Sequence, residues 1–317
     1  MKSILLLGIT FFFSFYHGWS QYTNTINSNR PGASYSAFSV GTGVIQGENG
    51  FFYEQRDHSG LRTEASRLGL DYVFRYGLLL EELELIIDGS AAYEQVTDNS
   101  TLPGAEYDRS NFLKNTVGVK YLIYDPFKKE GRDQPNLYSW NANNGFQWKN
   151  LVPAIAVYAG ANFNFGDNPF LPPAEPTVSP KVMLITQHEL MPRWVLVSNL
   201  IYDKFTGDDP MINYIITLTH SLRNGRFSLF AEHQGYKSDF YGDGVFRIGA
   251  AHLLNKNLQV DISGGTNIKD TPRRIFGEVG IAYRLDYHKD PKKKIDNVSD
   301  FEKRALRKKK KKRKKRF

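Results

Sequence analysis

Between Glu64 and Tyr76, the apolar residues Leu68, Leu70, Tyr72, Phe74 and Tyr76 alternate with Arg67, Gly69, Asp71, Val73 and Arg75. A strand sends successive side chains to opposite faces, so this spacing makes one apolar face and one charged face. The same dyad runs through Leu83, Leu85, Ile87, Ala91 and Tyr93 against Glu82, Glu84, Asp88 and Glu94. It returns in Val117, Val119, Tyr121 and Ile123 against Lys114, Thr116, Gly118 and Lys120. It closes the pattern in Leu258, Val260 and Ile262 against Asp261, and in Val279, Ile281, Tyr283 and Leu285 against Glu278 and Arg284. The pattern predicts strands near 43–57, 63–76, 82–96, 112–124, 152–165, 177–188, 193–205, 210–222, 226–236, 244–254, 257–268 and 274–287. Segments 177–188 and 193–205 alternate less cleanly than the rest. An even count of such segments, each about ten residues or longer, predicts an all-β fold: a transmembrane antiparallel up-and-down β-barrel of about twelve strands.

The connections fit a barrel with both ends on one side. Residues 77–81, 190–192, 223–226 and 255–257 are tight, and Asn224-Gly225 is a strong hairpin turn. Residues 97–111, 166–176 and 237–243 are longer and rich in Gly, Pro, Asp and Asn, as outer loops are. One connection breaks the rule: 125–151 is long on the side where turns should be short, and it holds Trp140 and Trp148.

The chain opens with Met1-Lys2, an apolar stretch from Ile4 to Phe13, and small and polar residues up to Ser20. Such a segment reads as a secretory signal peptide over 1–20, too short for the ~20 residues of a membrane-crossing helix. Residues 21–42, with Asn29-Arg30-Pro31-Gly32, read as a periplasmic entry segment, and 43–288 as the barrel. There is no cysteine, which excludes a disulfide framework. Mean hydropathy is low, at −0.45, because a barrel buries only one face of each strand in lipid. The 18 Tyr and 22 Phe fit aromatic girdles at two membrane interfaces.

Charge divides the chain in two. Residues 289–317 hold 16 Lys and Arg against 4 Asp and Glu, a net +12; the whole chain carries +8, so residues 1–288 carry −4. The tail ends in ten consecutive basic residues, Arg307, Lys308, Lys309, Lys310, Lys311, Lys312, Arg313, Lys314, Lys315 and Arg316. An exported chain does not meet nucleic acid. The expected contacts of this tail are an anionic membrane or cell-wall surface or an acidic envelope protein, each basic residue contributing ~1 kcal/mol at an anionic surface.

Three stretches resemble a known family. Asn29-Arg30-Pro31 with Ser39-Val40, Gly43, Gln46, Glu48 and Tyr53 is similar to the opening of the outer-membrane proteins named for the meta-pathway of phenol degradation. Arg75-Tyr76-Gly77-Leu78 with Leu83-Glu84-Leu85 resembles their second strand, turn and third strand, and Gly249–Asp261 their late hairpin. The resemblance covers most of residues 29–287. It implies a barrel in the outer membrane of a diderm bacterium and a transporter role, and fixes no solute. This chain departs from the family in its tail of about thirty residues.

Charge on a lipid face costs ~2–4 kcal/mol for Arg or Lys at the midplane, so the polar sets should face inward. The candidate lumen residues are Arg67, Asp71, Arg75, Glu82, Glu84, Asp88, Glu94, Lys114, Lys120, Glu232, Arg247, Asp261, Glu278 and Arg284. They carry both signs, which suits either a narrow selective pathway or a lumen closed by ion pairs. Hydrophobic or aromatic solutes have a further route through the wall. Catalytic signals are weak. His220 and Ser221 are adjacent, so on a strand they point to opposite faces and cannot pair. No cofactor or metal site is expected, and Asp208-Asp209 reads as a solvated turn. The expected function is a passive transporter or pore for small solutes, with outer-membrane lipid as its surroundings. The alternative is a structural or assembly partner of an envelope complex, docked through the tail.

Overall fold

The computed structural model describes residues 23, 25–128, 137–139, 143, 145–172, 175–207 and 209–288. The expected signal peptide and the basic tail 289–317 lie outside the described residues, as does Asp208.

Twelve strands form among the described residues: β1 (Val44–His58), β2 (Thr63–Gly77), β3 (Leu83–Asp98), β4 (Ala105–Tyr124), β5 (Ala154–Phe163), β6 (Val178–Met191), β7 (Trp194–Asp203), β8 (Met211–Ser221), β9 (Phe227–Lys237), β10 (Gly242–Asn255), β11 (Leu258–Asn267) and β12 (Arg273–Asp286). Each pairs antiparallel with its sequence neighbours, and β1 closes the ring on β12 from Val44↔Asp286 to Asp57↔Arg273. Closure leaves no sheet edge, and this is what allows strands to cross lipid with their backbone groups satisfied.

The outward faces carry the membrane signature. Leu70, Ile87, Val157, Leu184, Ile216, Ile262 and Val279 face out along the middle of the wall. Tyr76, Tyr121, Trp194, Phe227 and Tyr283 face out near one rim, and Tyr53, Tyr93, Tyr202, Tyr214 and Phe246 toward the other. Two aromatic girdles around an apolar band fix the barrel across the outer membrane. The first rim holds the start of β1, the end of β12 and the turns at 78–82, 192–193, 222–226 and 256–257; it is called the terminal rim below. The other, the loop rim, holds the connections 59–62, 99–104, 164–177, 204–210, 238–241 and 268–272.

The turns follow their residues. Asn224-Gly225 turns tightly with Gly225 at φ 66°, and Asn224 Oδ1 accepts from the Arg226 amide at 3.0 Å. The sequence reading differs at β4, which begins at Ala105 rather than 112. Residues 105–111 are too polar to register as an apolar–polar dyad, yet they pair with β3 as far as Asp98↔Ala105. The long connection 125–153 contains 3-10 turns at Pro126–Lys128 and Trp148–Leu151. The second docks beside β6, where Asn150 Nδ2 donates to the Leu190 carbonyl at 3.1 Å.

Candidate solute-binding lumen

The inner face of the barrel is built of two unlike half-walls. The charged one spans β1–β4 and β10–β12. Its centre is Arg75 on β2, whose Nε donates to Glu84 Oε1 on β3 at 2.7 Å and whose Nη1 lies 3.4 Å from Glu48 Oε1 on β1. Lys120 on β4 adds a contact to Glu84 at 3.3 Å. Arg75, Glu84 and Lys120 are fully buried. Toward the loop rim, Arg67 and Arg109 both hold Glu94, Arg56 and Arg274 both hold Glu54, and Lys114 holds Asp88. The carboxylates Glu54, Asp88 and Glu94 are buried, and buried ions persist only when paired, so removing a partner leaves an uncompensated charge.

The opposite half-wall, β5–β8, carries an apolar patch on its inner face, flanked by Lys181, Gln187, Asn199 and Thr217. Ala154, Ala156, Tyr158, Met183, Ile185, Ile201 and Ile215 form one buried cluster there. Apolar residues such as Met183, Ile185 and Ile201 interleave with Lys181, Gln187 and Asn199 on the inner face, and this blurs the dyad of segments 177–188 and 193–205.

The N-terminal segment lies inside the ring. The sequence reading gave residues 21–42 only as a polar periplasmic entry segment; the described part of it enters at the terminal rim, climbs to mid-height and returns. At its start the Thr23 carbonyl accepts from Arg284 Nη1 at 2.8 Å, and the Ile26 amide bonds the Lys256 carbonyl in the β10–β11 turn. At its top, Arg30 reaches Asp261 through Nε and Nη2 (3.2 and 2.9 Å) and Glu278 through Nη1 (2.6 Å). Its guanidinium lies over the facing glycines Gly50 of β1 and Gly280 of β12, where a Cβ would come within 2.2 and 2.1 Å of Arg30 nitrogens. Burial opposes the Arg30 charge, but Glu278 and Asp261 overcome it and hold its pKa above the ordinary value.

The descending limb satisfies its backbone from wall side chains, as a loop excluded from solvent must. Asn199 clamps Tyr35, accepting from its amide at 2.6 Å and donating to its carbonyl at 3.0 Å. Gln187 Oε1 accepts from Ser36 Oγ and the Ala37 amide. Lys120 Nζ donates to the Ser36 and Phe38 carbonyls at 2.8 and 2.9 Å, and Glu84 takes the Val40 amide at 2.8 Å. The Tyr35 hydroxyl is pushed above its usual pKa by burial and by Asp88.

Two cavities flank this segment. One, of about 300 Å3, lies between it and β6–β11 in the terminal-rim half, lined by neutral groups such as Ser34, Gln187, Thr217, Ser221 and Gln259. The other, of about 310 Å3, lies in the loop-rim half beside Arg67, Asp71, Arg247, Arg274 and Glu278.

Of the fourteen candidate lumen residues, all but Glu82 stand at inward positions of strands. Glu82 belongs to the β2–β3 turn, where its carbonyl accepts from Ser39 Oγ at 2.8 Å. Sequence reasoning missed Arg30, Gln46, Glu48, Glu54, Arg56, Gln187, Asn199 and Arg274. Gln46, Glu48, Glu54 and Arg56 share one parity on β1, which is a usable signal, but the run Phe51-Phe52-Tyr53 hides the phase. Arg30 and Asn199 carry none. His220 faces outward and stacks on Trp194 at 4.2 Å, while Ser221 faces the lumen cavity, so the two sit on opposite faces. His252 stacks likewise on Phe227 at 4.0 Å.

The family model described as "Putative MetA-pathway of phenol degradation" matches residues 28–285, from the lumen segment through the last strand. The chain belongs to this family. An outer membrane channel of Pseudomonas putida F1 resembles it in fold, with a TM-score of 0.51 and 11% identity, over 82% of this chain and all of that one. The NanC porin covers 74% of this chain and all of its own length with a TM-score of 0.42 and 11% identity, a likeness too weak to carry an argument. No curated protein matches the sequence. The family match takes in Arg30, Arg75, Glu84, Asp261 and Glu278, so the lumen segment and the wall that holds it fall within one family unit.

Proposed function

We propose that the protein is a passive outer-membrane transporter for small solutes, with the terminal rim in the periplasm and a path along the seam between the charged and apolar half-walls. The observation that carries this reading is the lumen itself: a closed ring with two cavities of about 300 Å3 separated by a segment held through side-chain contacts. Such contacts can be exchanged without breaking the wall. In the conformation described the segment fills the mid-height, so passage requires it to shift. Once the segment shifts, the inner surface of Tyr158, Met183, Ile185 and Ile215, packed against Tyr35 and Ala37 in this conformation, favours solutes with an apolar part. A fixed aqueous pore has no use for such a surface.

The test is solute uptake into proteoliposomes beside single-channel conductance, for the full chain and for Arg30→Gln. Uptake of small neutral solutes with low ionic conductance, and a rise in conductance for Arg30→Gln, is the expected result. Liposomes as tight as protein-free ones for both proteins would overturn the reading.

A further inference from the structure

In the loop-rim half of the lumen two carboxylates are each held by two guanidinium groups. Glu54 lies between Arg56 and Arg274, the latter bidentate at 3.1 Å for both bonds. Glu94 lies between Arg67, at 2.7 Å, and Arg109. Each triad carries one positive charge beyond neutrality. Arg247 pairs one-to-one with Glu232. Asp71, Asp88 and Asp203 share Lys114, and Lys181 also faces Asp88. Deeper in, Arg30 pairs with both Asp261 and Glu278. An anion entering from the loop rim meets these two positive triads before the carboxylate pair held by Arg30.

Arg56, Arg67, Arg247 and Arg274 line the same 310 Å3 chamber, at the small end of the ~300–1,000 Å3 range of ligand pockets. Two of them keep an unused donor. The Nε atoms of Arg67 and Arg247 are buried without a partner, and the Arg67 side chain is only 6% exposed. A buried N–H left in this state is costly, and an incoming acceptor removes that cost. Glu54, Asp71 and Glu278 also line it, with Ser90, Gln234 and Tyr236, and its apolar surface is Phe52, Leu113, Val245 and Phe276. Arg247 lies over the Phe276 ring, 5.2 Å to its centroid, and Phe170 of the β5–β6 loop covers Arg67 and Arg109 at 5.1 and 4.9 Å.

We propose that this chamber binds a small organic carboxylate, its anionic end among Arg56, Arg67 and Arg274 and its apolar body against Phe52 and Phe276. Guanidinium matches carboxylate geometry, and the rings supply the surface that a purely inorganic anion would not use. The inference builds on the transporter reading, since the chamber is the loop-rim end of the same lumen, but binding and passage are measured separately.

The test is equilibrium dialysis of labelled benzoate against the detergent-solubilised full chain, with protein-free detergent as the blank and benzyl alcohol and inorganic phosphate as comparators. Saturable benzoate binding is expected, well above that of either comparator. Arg67→Gln leaves Glu94 paired with Arg109, and Arg274→Gln leaves Glu54 paired with Arg56, so neither orphans a buried carboxylate. Each should weaken benzoate binding about tenfold, the loss of one charged hydrogen bond. Glu54→Gln changes the local charge the other way and should strengthen it; a gain cannot arise from misfolding. Heat-modifiable migration on gels checks each barrel. Benzoate retained no better than benzyl alcohol or phosphate, or bound equally by all three variants, overturns the proposal. If binding holds while liposome uptake is absent, the transporter reading fails and this one stands; the converse outcome sinks only the binding site.

Discussion

The charged half-wall and the apolar half-wall enclose the same lumen and are held by opposite means. On β1–β4 the inner face is a chain of ion pairs, Glu48, Arg75, Glu84 and Lys120, each group buried and each needing its neighbour. On β5–β8 it is a packed cluster of Tyr158, Met183, Ile185, Ile201 and Ile215. The N-terminal segment uses both. Ser28, Asn29 and Arg30 bond the charged wall, while Tyr35 packs on Tyr158 with ring centroids 6.0 Å apart. The difference teaches where the fold is brittle. A packed wall loses stability in proportion to the volume removed, whereas an ion-pair wall fails as a unit, because one deletion strands the partners.

The largest effect should come from Glu84→Gln. Arg75 and Lys120 would both remain buried with their shared carboxylate gone, costing about 3–5 kcal/mol, seen as a lower urea midpoint in the unfolding of the detergent-solubilised barrel. Nearly as large, Gly280→Ala places a Cβ against Arg30 and should expel the top of the segment. The expected readout is new protease cleavage within residues 23–42 with the barrel intact; unchanged protection would show that the glycine floor does not position Arg30. In the packed wall, Ile185→Ala should cost about 2–5 kcal/mol with the segment still protected, which separates wall stability from segment docking. Smallest, Glu175→Gln removes the loop-rim pair with Lys204, set at 2.8 Å, and should move the midpoint by less than about 1 kcal/mol. If Ile185→Ala released the segment as fully as Gly280→Ala, the two half-walls would not be distinct in the way described.

Legibility from sequence tracks this same division. Where one strand face meets lipid and the other meets charge, as in Leu68 to Tyr76, the alternation states both the strand and its inward set. Thirteen of the fourteen candidate residues stand at inward positions for this reason. Glu82 follows the same parity but lies before the pairing of β3 begins, a boundary that parity does not mark. On β6–β8 the inner set mixes Met183, Ile185, Ile201 and Ile215 with Gln187, Asn199 and Thr217, and periodicity falls silent. The lumen segment has no periodicity either. Its place depends on partners far along the chain, Asn199 for Tyr35 and Asp261 for Arg30.

By itself, the sequence determined a ring of twelve strands, its lipid-facing side and most of its inward charges, because lipid imposes one rule on every strand and each strand obeys it locally. Only the tertiary structure decided which charges meet, that an apolar patch lines one side of the lumen, and that residues beginning as a polar leader to the barrel lie within it. Those outcomes depend on which strands face each other across the lumen, and closing the ring is what brings residues more than two hundred positions apart, such as Arg30 and Asp261, into contact.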